Sequence, residues 1–325
     1  MAGKNIPLEE FSCLKAESNI NAMLLESSSN PDLNRLGIRI RNCQQTVYEG
    51  HDGRLLTGYR CTSKWCHVCQ HLNYLESYAE WERVRDITRS LSDNDEITNG
   101  VWFNATLTLK TPTPLNRLRS TFDALSSSLK QVSSIPAVLG FHRGIEAPMN
   151  NEGNGSHSHI HAHALWFVHR DSAAEFPELI QSSVAKNNAK AASGSNKVTT
   201  SSVHLNLGFQ HSDPSKNVPG DGKPKLIADS DLGRVGSYDR QYKPLGHDEH
   251  SIATVHRQLH GKHMVQNSGV VKTFVGLSRE YYDATKTMSK ATDTCGLPCY
   301  AYDDDSMGYV LSQAPLTIPT KSYMM

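Results

Sequence analysis

Residues Ser156 to Val168 read S-H-S-H-I-H-A-H-A-L-W-F-V. His157, His159, His161 and His163 fall at every second position, and the apolar run Ala164 to Val168 follows. A period of two belongs to a β-strand, where residues i and i+2 share a face. The pattern therefore predicts one strand that carries all four imidazoles on one side and continues into a buried segment. Imidazole is a common ligand for transition metals, and two ring nitrogens one strand-step apart can share an ion. The plainer reading is a polar hairpin end that binds nothing. Strict alternation leading straight into a core strand favours metal.

Upstream, Pro136 to Glu146 (P-A-V-L-G-F-H-R-G-I-E) reads as a second strand, and Met149 to Gly155 as a Gly/Asn turn. The two strands then form a hairpin with its tip near Asn154 and Gly155. Val101 to Leu109 (V-W-F-N-A-T-L-T-L) is another strand. Leu72 to Leu91 and Leu115 to Val132 carry apolar stripes at helical spacing. Downstream, the sequence predicts a helix over Ala173 to Lys186, a small-residue linker over Asn187 to Lys197 and a strand over Ser202 to Gly208. Phe209 to Asp229, rich in Pro, Gly and Lys, reads as a surface loop. Helices are expected over Asp231 to Tyr242, stopped by Pro244, and over Asp248 to Met264. His256, His260 and His263 of the second lie on one polar face, read as solvated. Val270 to Leu277 reads as a short strand. The first 33 or so residues look like an arm or short helix, and the final 20 like a poorly ordered tail.

Four of the seven cysteines form a module. Cys43, Cys61, Cys66 and Cys69 are spaced C-x17-C-x4-C-x2-C. A C-x2-C turn lets two thiolates grip one tetrahedral Zn²⁺, and two further ligands close a structural site. Cys61 is the expected third ligand and Cys43 the fourth, with His67 and His71 as rivals for that place. Cys13 reads as a lone thiol. C-G-L-P-C, with Cys295 and Cys299, is a weaker candidate for a second metal site.

The chain has 325 residues, 38% of them hydrophobic and 20% charged, which fits one or two ordinary globular domains. No apolar run reaches the roughly 18 residues of a membrane helix. The first residues, M-A-G-K-N-I-P-L-E-E-F, lack the apolar segment of a signal peptide, so a cytoplasmic location is expected and clustered cysteines suggest metal before disulfide. Formal net charge is zero, so any nucleic-acid surface is local.

In their order, four stretches resemble the plasmid rolling-circle replication initiators (Rep proteins), whose nickase domain belongs to the HUH endonucleases. R-C-T-S-K-W-C-H-V-C-Q is similar to the family's cysteine module, and F-N-A-T-L-T-L-K-T to its first strand motif. H-I-H-A-H-A-L-W-F-V is similar to its histidine strand, and Val255 to Phe274 to the segment after its nucleophile. The likeness spans about residues 40 to 290.

The resemblance implies an α+β fold: a central antiparallel sheet with flanking helices, the HUH nickase fold, plus an N-terminal zinc-binding cysteine module. The expected divisions are an arm (1–36), the cysteine module and its helix (37–100), the endonuclease domain (101–290) and a tail (291–325). It also implies that the catalytic metal, Mg²⁺ or Mn²⁺, is held by His161 and His163. His159 with His161 is the alternative register, and Glu146 supplies an acidic ligand from the neighbouring strand. The nucleophile it implies is Tyr242, with Tyr238 one helical turn earlier as a second tyrosine. The family's lysine three residues after the tyrosine is Leu245 here. Arg234, Arg240, Lys243 and Lys262 would hold phosphates of the DNA.

The implied function is nicking of one strand at a plasmid origin through a 5′-phosphotyrosine, followed by rejoining. Origin DNA, single-stranded or in a hairpin, and a host helicase and DNA polymerase are the implied partners, with no membrane involved. A transposase or mobilisation relaxase with the same chemistry is one alternative. A non-enzymatic zinc-dependent DNA-binding protein is another.

Overall fold

The computed structural model describes residues 6–50, 55–91, 99–109, 113–148, 157–193, 205–208, 225–237, 248–288 and 297–312. In chain order the helices are α1 (Leu8–Glu26), α2 (Pro31–Arg41), α3 (His67–Leu91), α4 (Leu118–Ser133), α5 (Phe176–Ser193), α6 (Leu232–Gly236), α7 (Glu249–Leu259) and α8 (Val270–Met288). The strands are β1 (Thr46–Glu49), β2 (Leu55–Thr57), β3 (Gly100–Leu109), β4 (Thr113–Pro114), β5 (Val138–Glu146), β6 (His157–Ser158), β7 (His161–His169), β8 (Leu205–Gly208), β9 (Lys225–Leu226), β10 (Val265–Gly269), β11 (Cys299–Asp303) and β12 (Gly308–Leu311). Contacts divide the chain into two units: Met1–Glu76 with His247–Ala253 and Thr287–Met325, and Ser77–Gly246 with Thr254–Lys286. Helix and antiparallel sheet are mixed in both.

The second unit is built on an antiparallel sheet in the order β10-β5-β7-β3-β8, with β9 also paired to β3. The expected pairing of the two strands is present: β5 and β7 pair with Glu146 opposite His161 and Gly144 opposite His163, while the expected turn and tip, residues 149–156, lie outside the described residues. β7 lies in the middle because its run Ala164 to Val168 is buried on both faces. Alternation gives each face its own core. Leu165, Phe167 and Trp102 pack with Trp81 and Val84 of α3, Leu232 of α6, and Val271, Phe274 and Val275 of α8. On the other face the Phe176 ring of α5 stands 6.0 Å from that of Trp166 and 5.1 Å from that of Phe103.

Several segments differ from the sequence reading. The four histidines do not share one strand. β7 begins at His161, while His157 lies in β6, which pairs with β4 in a separate two-stranded sheet. Ser158 and Ile160 are the buried residues there, and the His159 N–H bonds to the Pro148 carbonyl instead of extending β7. Val270 to Leu277 is not a strand but the first half of α8. Its buried residues Val271, Phe274, Val275 and Ser278 follow helical spacing, which outweighs the β-branched composition. The small-residue stretch from Asn187 to Ser193 continues α5, so no linker starts there. The predicted helix from Asp231 appears as α6, ending at Gly236; residues 238–247 lie outside the described residues. The predicted loop over Phe209 to Asp229 also lies largely outside them.

In the first unit the expected arm is the 19-residue helix α1. Phe11, Leu14, Ala22 and Leu25 are buried on it, but so are Lys15, Ser18, Asn19 and Asn21. A buried face with so many polar residues carries little apolar periodicity, so the helix leaves only a weak mark on the sequence. The expected tail supplies β11 and β12, which extend the sheet β12-β11-β1-β2. Arm, cysteine module and tail residues thus belong to one unit.

The turn from β10 into α8 depends on Gly269, whose φ is +58°. A Cβ there would stand 2.2 Å from the Leu139 carbonyl oxygen and 2.8 Å from the Gly140 Cα, both backbone atoms that cannot swing aside. Gly269→Ala is expected to destabilise the chain by about 1–3 kcal/mol through the left-handed backbone alone, and by more through the steric clash. The shift of the urea or thermal midpoint checks this.

Candidate metal centres

The cysteine group belongs to the first unit. Cys43 follows the C-terminus of α2, Cys61 precedes a turn, and Cys66 and Cys69 flank the first turn of α3. All four are fully buried, and their sulfurs lie within 4.8 Å of one another. The Cys69 sulfur is 3.5 Å from that of Cys43 and 3.6 Å from that of Cys61. Four sulfurs about 2.3 Å from a zinc ion stand about 3.8 Å apart at the corners of a tetrahedron. A disulfide would bring a pair to about 2.0 Å. The spacing fits a shared ion and no disulfide.

The backbone is shaped to the same end. Gln44 (φ +52°) and Thr62 (φ +55°) are left-handed, and each directly follows a cysteine of the group. For β-branched Thr62 this is strained backbone, which persists where surrounding structure over-determines it. The Cys61 N–H points at the Cys43 sulfur across 3.4 Å, and the Thr62 N–H bonds to the Cys69 sulfur. Hydrogen bonds with Cys61, Cys66 and Cys69 push the Cys43 thiol far above the ordinary range. Hydrogen bonds from Cys43, Cys61 and Cys66 hold Cys69 far below it. Four sulfurs this close share protons unevenly, and only a cation lets all four be thiolates. The group is able to bind a metal such as zinc.

His67 and His71, the rivals for the fourth place, face α1. His67 Nδ1 meets Glu17 Oε2 at 2.8 Å and Nε2 meets Asn21 Nδ2 at 2.9 Å. His71 Nε2 lies 3.9 Å from Glu10. Two residues of α1 that sequence reading missed support the module. The Ser18 hydroxyl accepts the N–H groups of His67 (2.8 Å) and Val68 (3.4 Å), satisfying the start of α3 as a cap from another helix. The fully buried Lys15 ammonium donates to the carbonyls of Arg41 (2.6 Å) and Cys43 (2.7 Å), closing the end of α2. Neither role has a local sequence signal, because donor and acceptor lie far apart in the chain.

The second group belongs to the second unit. Glu146 of β5 and His161 of β7 are register partners, and His163 is the next residue on the same face. Glu146 Oε2 lies 3.0 Å from His161 Nε2 and 3.4 Å from His163 Nε2, with all three side chains largely buried. Neighbouring ligands of one ion at bond lengths of about 2.1 Å stand about 3.0 Å apart in an octahedral arrangement, so the spacing fits a shared ion. The rings are also oriented for it. His161 Nδ1 donates to the His159 carbonyl at 2.9 Å, which leaves the Nε2 lone pair facing Glu146. His163 Nδ1 meets Thr106 Oγ1 of β3 at 3.2 Å. Such outer partners fix the ring and its tautomer. Thr106 was legible only as one threonine of N-A-T-L-T-L.

The structure thus brings together His161, His163 and Glu146. His159 contributes its carbonyl, and its ring centroid stands 6.0 Å from that of His161. Burial, with the neighbouring His161 second, holds the His159 imidazole below the ordinary histidine range. Tyr238, Tyr242, Arg240 and Lys243 lie outside the described residues, as does Cys295. Arg234 is exposed on α6 with Asp231 at 3.9 Å, and Lys262 is paired with Asp123 at 2.6 Å. Cys299 is buried on β11. Among the described residues, no helix is long and apolar enough to cross a membrane.

The chain matches no protein-family model, no curated protein and no solved structure.

Two outcomes are expected. Cys69→Ser removes one corner of the sulfur group, so stoichiometric zinc or cobalt should be lost and the first unit should melt earlier, as metal analysis and a thermal scan would show. Thr106→Val leaves the Glu146, His161 and His163 donors in place but frees the His163 ring. Any affinity of this group for a divalent metal ion, measured by calorimetry, should fall about 10–100-fold.

Proposed function

We propose that the chain is a metal-dependent nickase of the HUH type that acts at a plasmid replication origin, with a structural zinc ion in its cysteine module. The observation that carries this reading is the cluster of His161, His163 and Glu146 on adjacent antiparallel strands. Two imidazoles and a carboxylate at one corner of a sheet leave the rest of an ion's coordination sphere to a substrate. The buried Cys43, Cys61, Cys66 and Cys69 group supports the zinc part. Its donors are soft thiolates in a closed set, unlike the second group.

In this reading His161 and His163 would hold Mg²⁺ or Mn²⁺ through Nε2, since their Nδ1 atoms are engaged by the His159 carbonyl and Thr106, and Glu146 would offset part of its positive charge. When bound, such an ion would supply Lewis-acid polarisation of the scissile phosphate.

Tyr242 attacks phosphorus through its phenolic oxygen. The bond from phosphorus to the 3′-oxygen breaks, the phenolic proton is given up, and the released 3′-oxygen takes up a proton as a primer hydroxyl. The strand stays on the enzyme as a 5′-phosphotyrosine, so the bond energy is kept for rejoining. Tyr238 serves a second transfer. The packing of α6 supports this assignment. Leu232 of α6 packs in the core on the histidine-bearing face of the sheet, and Tyr238 follows α6 by two residues. Gly236 lets α6 approach closely, since a Cβ there would meet the Trp81 ring at 2.2 Å. Arg234, Arg240 and Lys243 flank the tyrosines in sequence and would bind the strand's phosphates in a salt-dependent way.

A transposase or relaxase would use the same residues. The cysteine module ahead of the first sheet strand favours the replication reading. The test is incubation with single-stranded and hairpin oligonucleotides from candidate plasmid origins and Mn²⁺, followed by denaturing electrophoresis. A nicked product and a covalent protein–DNA adduct are expected. His161→Ala should abolish both and Tyr242→Phe the adduct. Zinc-dependent DNA binding with no cleavage on any substrate would instead support a non-enzymatic DNA-binding protein.

A further inference from the structure

Arg143 stands on β5 one residue out of phase with His142 and Glu146, so its side chain leaves the opposite face of the sheet, toward α4. It is 9% exposed. Its one hydrogen bond among the described residues is a long one, from Nη1 to the Ser126 carbonyl at 3.5 Å. Its Nε is buried without a partner, and so is the hydroxyl of Ser126. No carboxylate of the described residues pairs with it. A buried guanidinium without a counter-anion is costly, since desolvation is not offset by attraction. Burial alone acts on its proton affinity, lowering it.

The nearby acid of α4, Asp123, is already paired with Lys262 at 2.6 Å, and the other polar groups around Arg143 are donors. Gln266 of β10 is the register partner of Arg143, so both side chains leave the same face, and Gln266 is exposed at the sheet edge. One turn back along α4 from Ser126, Phe122 lies under the Lys262 ammonium, 5.6 Å from its ring centroid. A planar guanidinium fork, a hydroxyl and a carboxamide together suit an oxyanion with several oxygens. A carboxylate would fill only the fork, whereas a tetrahedral phosphate has oxygens for all three.

We infer that the seam between α4 and the β5–β10 edge is a phosphate-binding site, with Arg143 as its buried anchor and Ser126 and Gln266 as further donors. The site lies on the other face of the sheet from Glu146, His161 and His163, and does not depend on the nickase reading. The phosphate would come from a nucleic-acid strand or from a free ion.

The test uses the full chain. Its thermal midpoint is measured with increasing inorganic phosphate against chloride at matched ionic strength, and its affinity for a short single-stranded oligonucleotide is measured across a salt series. Wild type should show a saturable rise with phosphate that chloride does not reproduce. Arg143→Leu should fold, because it removes an uncompensated charge, and should lose that rise. Gln266→Glu places a carboxylate across the ladder from Arg143 and should lose it too, deciding the matter if the leucine variant fails to fold. If the ligand is a strand phosphate, both variants also bind the oligonucleotide more weakly, and the slope of log affinity against log salt becomes shallower by about 0.7, the share of one neutralised phosphate. If it is a free ion, oligonucleotide binding is unchanged while the phosphate response disappears. A wild type indifferent to phosphate, or variants that respond as wild type does, would overturn the site and leave Arg143 a structural residue served by water.

Discussion

The pairing of β5 with β7 is the constraint on which the second unit depends. Glu146 faces His161 because the two strands meet in one register. A slip of one residue would turn every side chain of β7 to the other face. His161 and His163 would then point toward α4 and α5, and Trp166 would leave its place against Phe176 for the crowded side of Trp81 and Phe274. Burial of Leu165 and Phe167 on one side and Trp166 and Val168 on the other holds the register. Fully burying such side chains is worth about 1.5–3 kcal/mol each. The polar cluster does not set its own geometry; the apolar half of the strand sets it.

The central hairpin was legible because its signals are local: alternation in β7, a Gly/Asn turn, and an apolar run bounded on both sides. The cysteine spacing was legible for the same reason. The resemblance to the replication initiators, matched against the apolar run, pointed to His161 and His163, while placing His157 and His159 on that strand failed. Alternation continues through them, but the burial of Ser158 and Ile160 and the bond to Pro148 break the ladder. Helix α1 was hidden because its inward face does chemistry instead of packing. Lys15, Ser18 and Asn21 are there to hold carbonyls, amides and a ring of the cysteine module. The start of α8 was misread because Val270 and Val271 favour strands intrinsically, whereas the spacing of its buried residues is helical. Propensity is a weak guide where tertiary burial decides.

What the sequence conceals most is support from elsewhere in the chain. Thr106 reaches His163 from a strand more than fifty residues earlier, and Ser18 caps α3 from nearly fifty residues away. Side chains that orient a site share no motif with it, so residue spacing reveals donors before it reveals what aims them. The left-handed Gln44 and Thr62 are similar. Neither residue type announces such a backbone, and each is explained by the cysteine it follows.

The two donor groups also differ in what they would select from a mixture of metals. Four buried thiolates reject hard ions such as Mg²⁺ by softness alone. Two imidazoles and a carboxylate have no such filter, and zinc and copper outrank manganese at donors of that kind. On these donors alone, the first group would sort metals by its own chemistry and the second would not. If the second group holds Mg²⁺ or Mn²⁺ as proposed, excess zinc would fill the first to no effect and compete for the second, so mis-metallation would be felt at Glu146, His161 and His163.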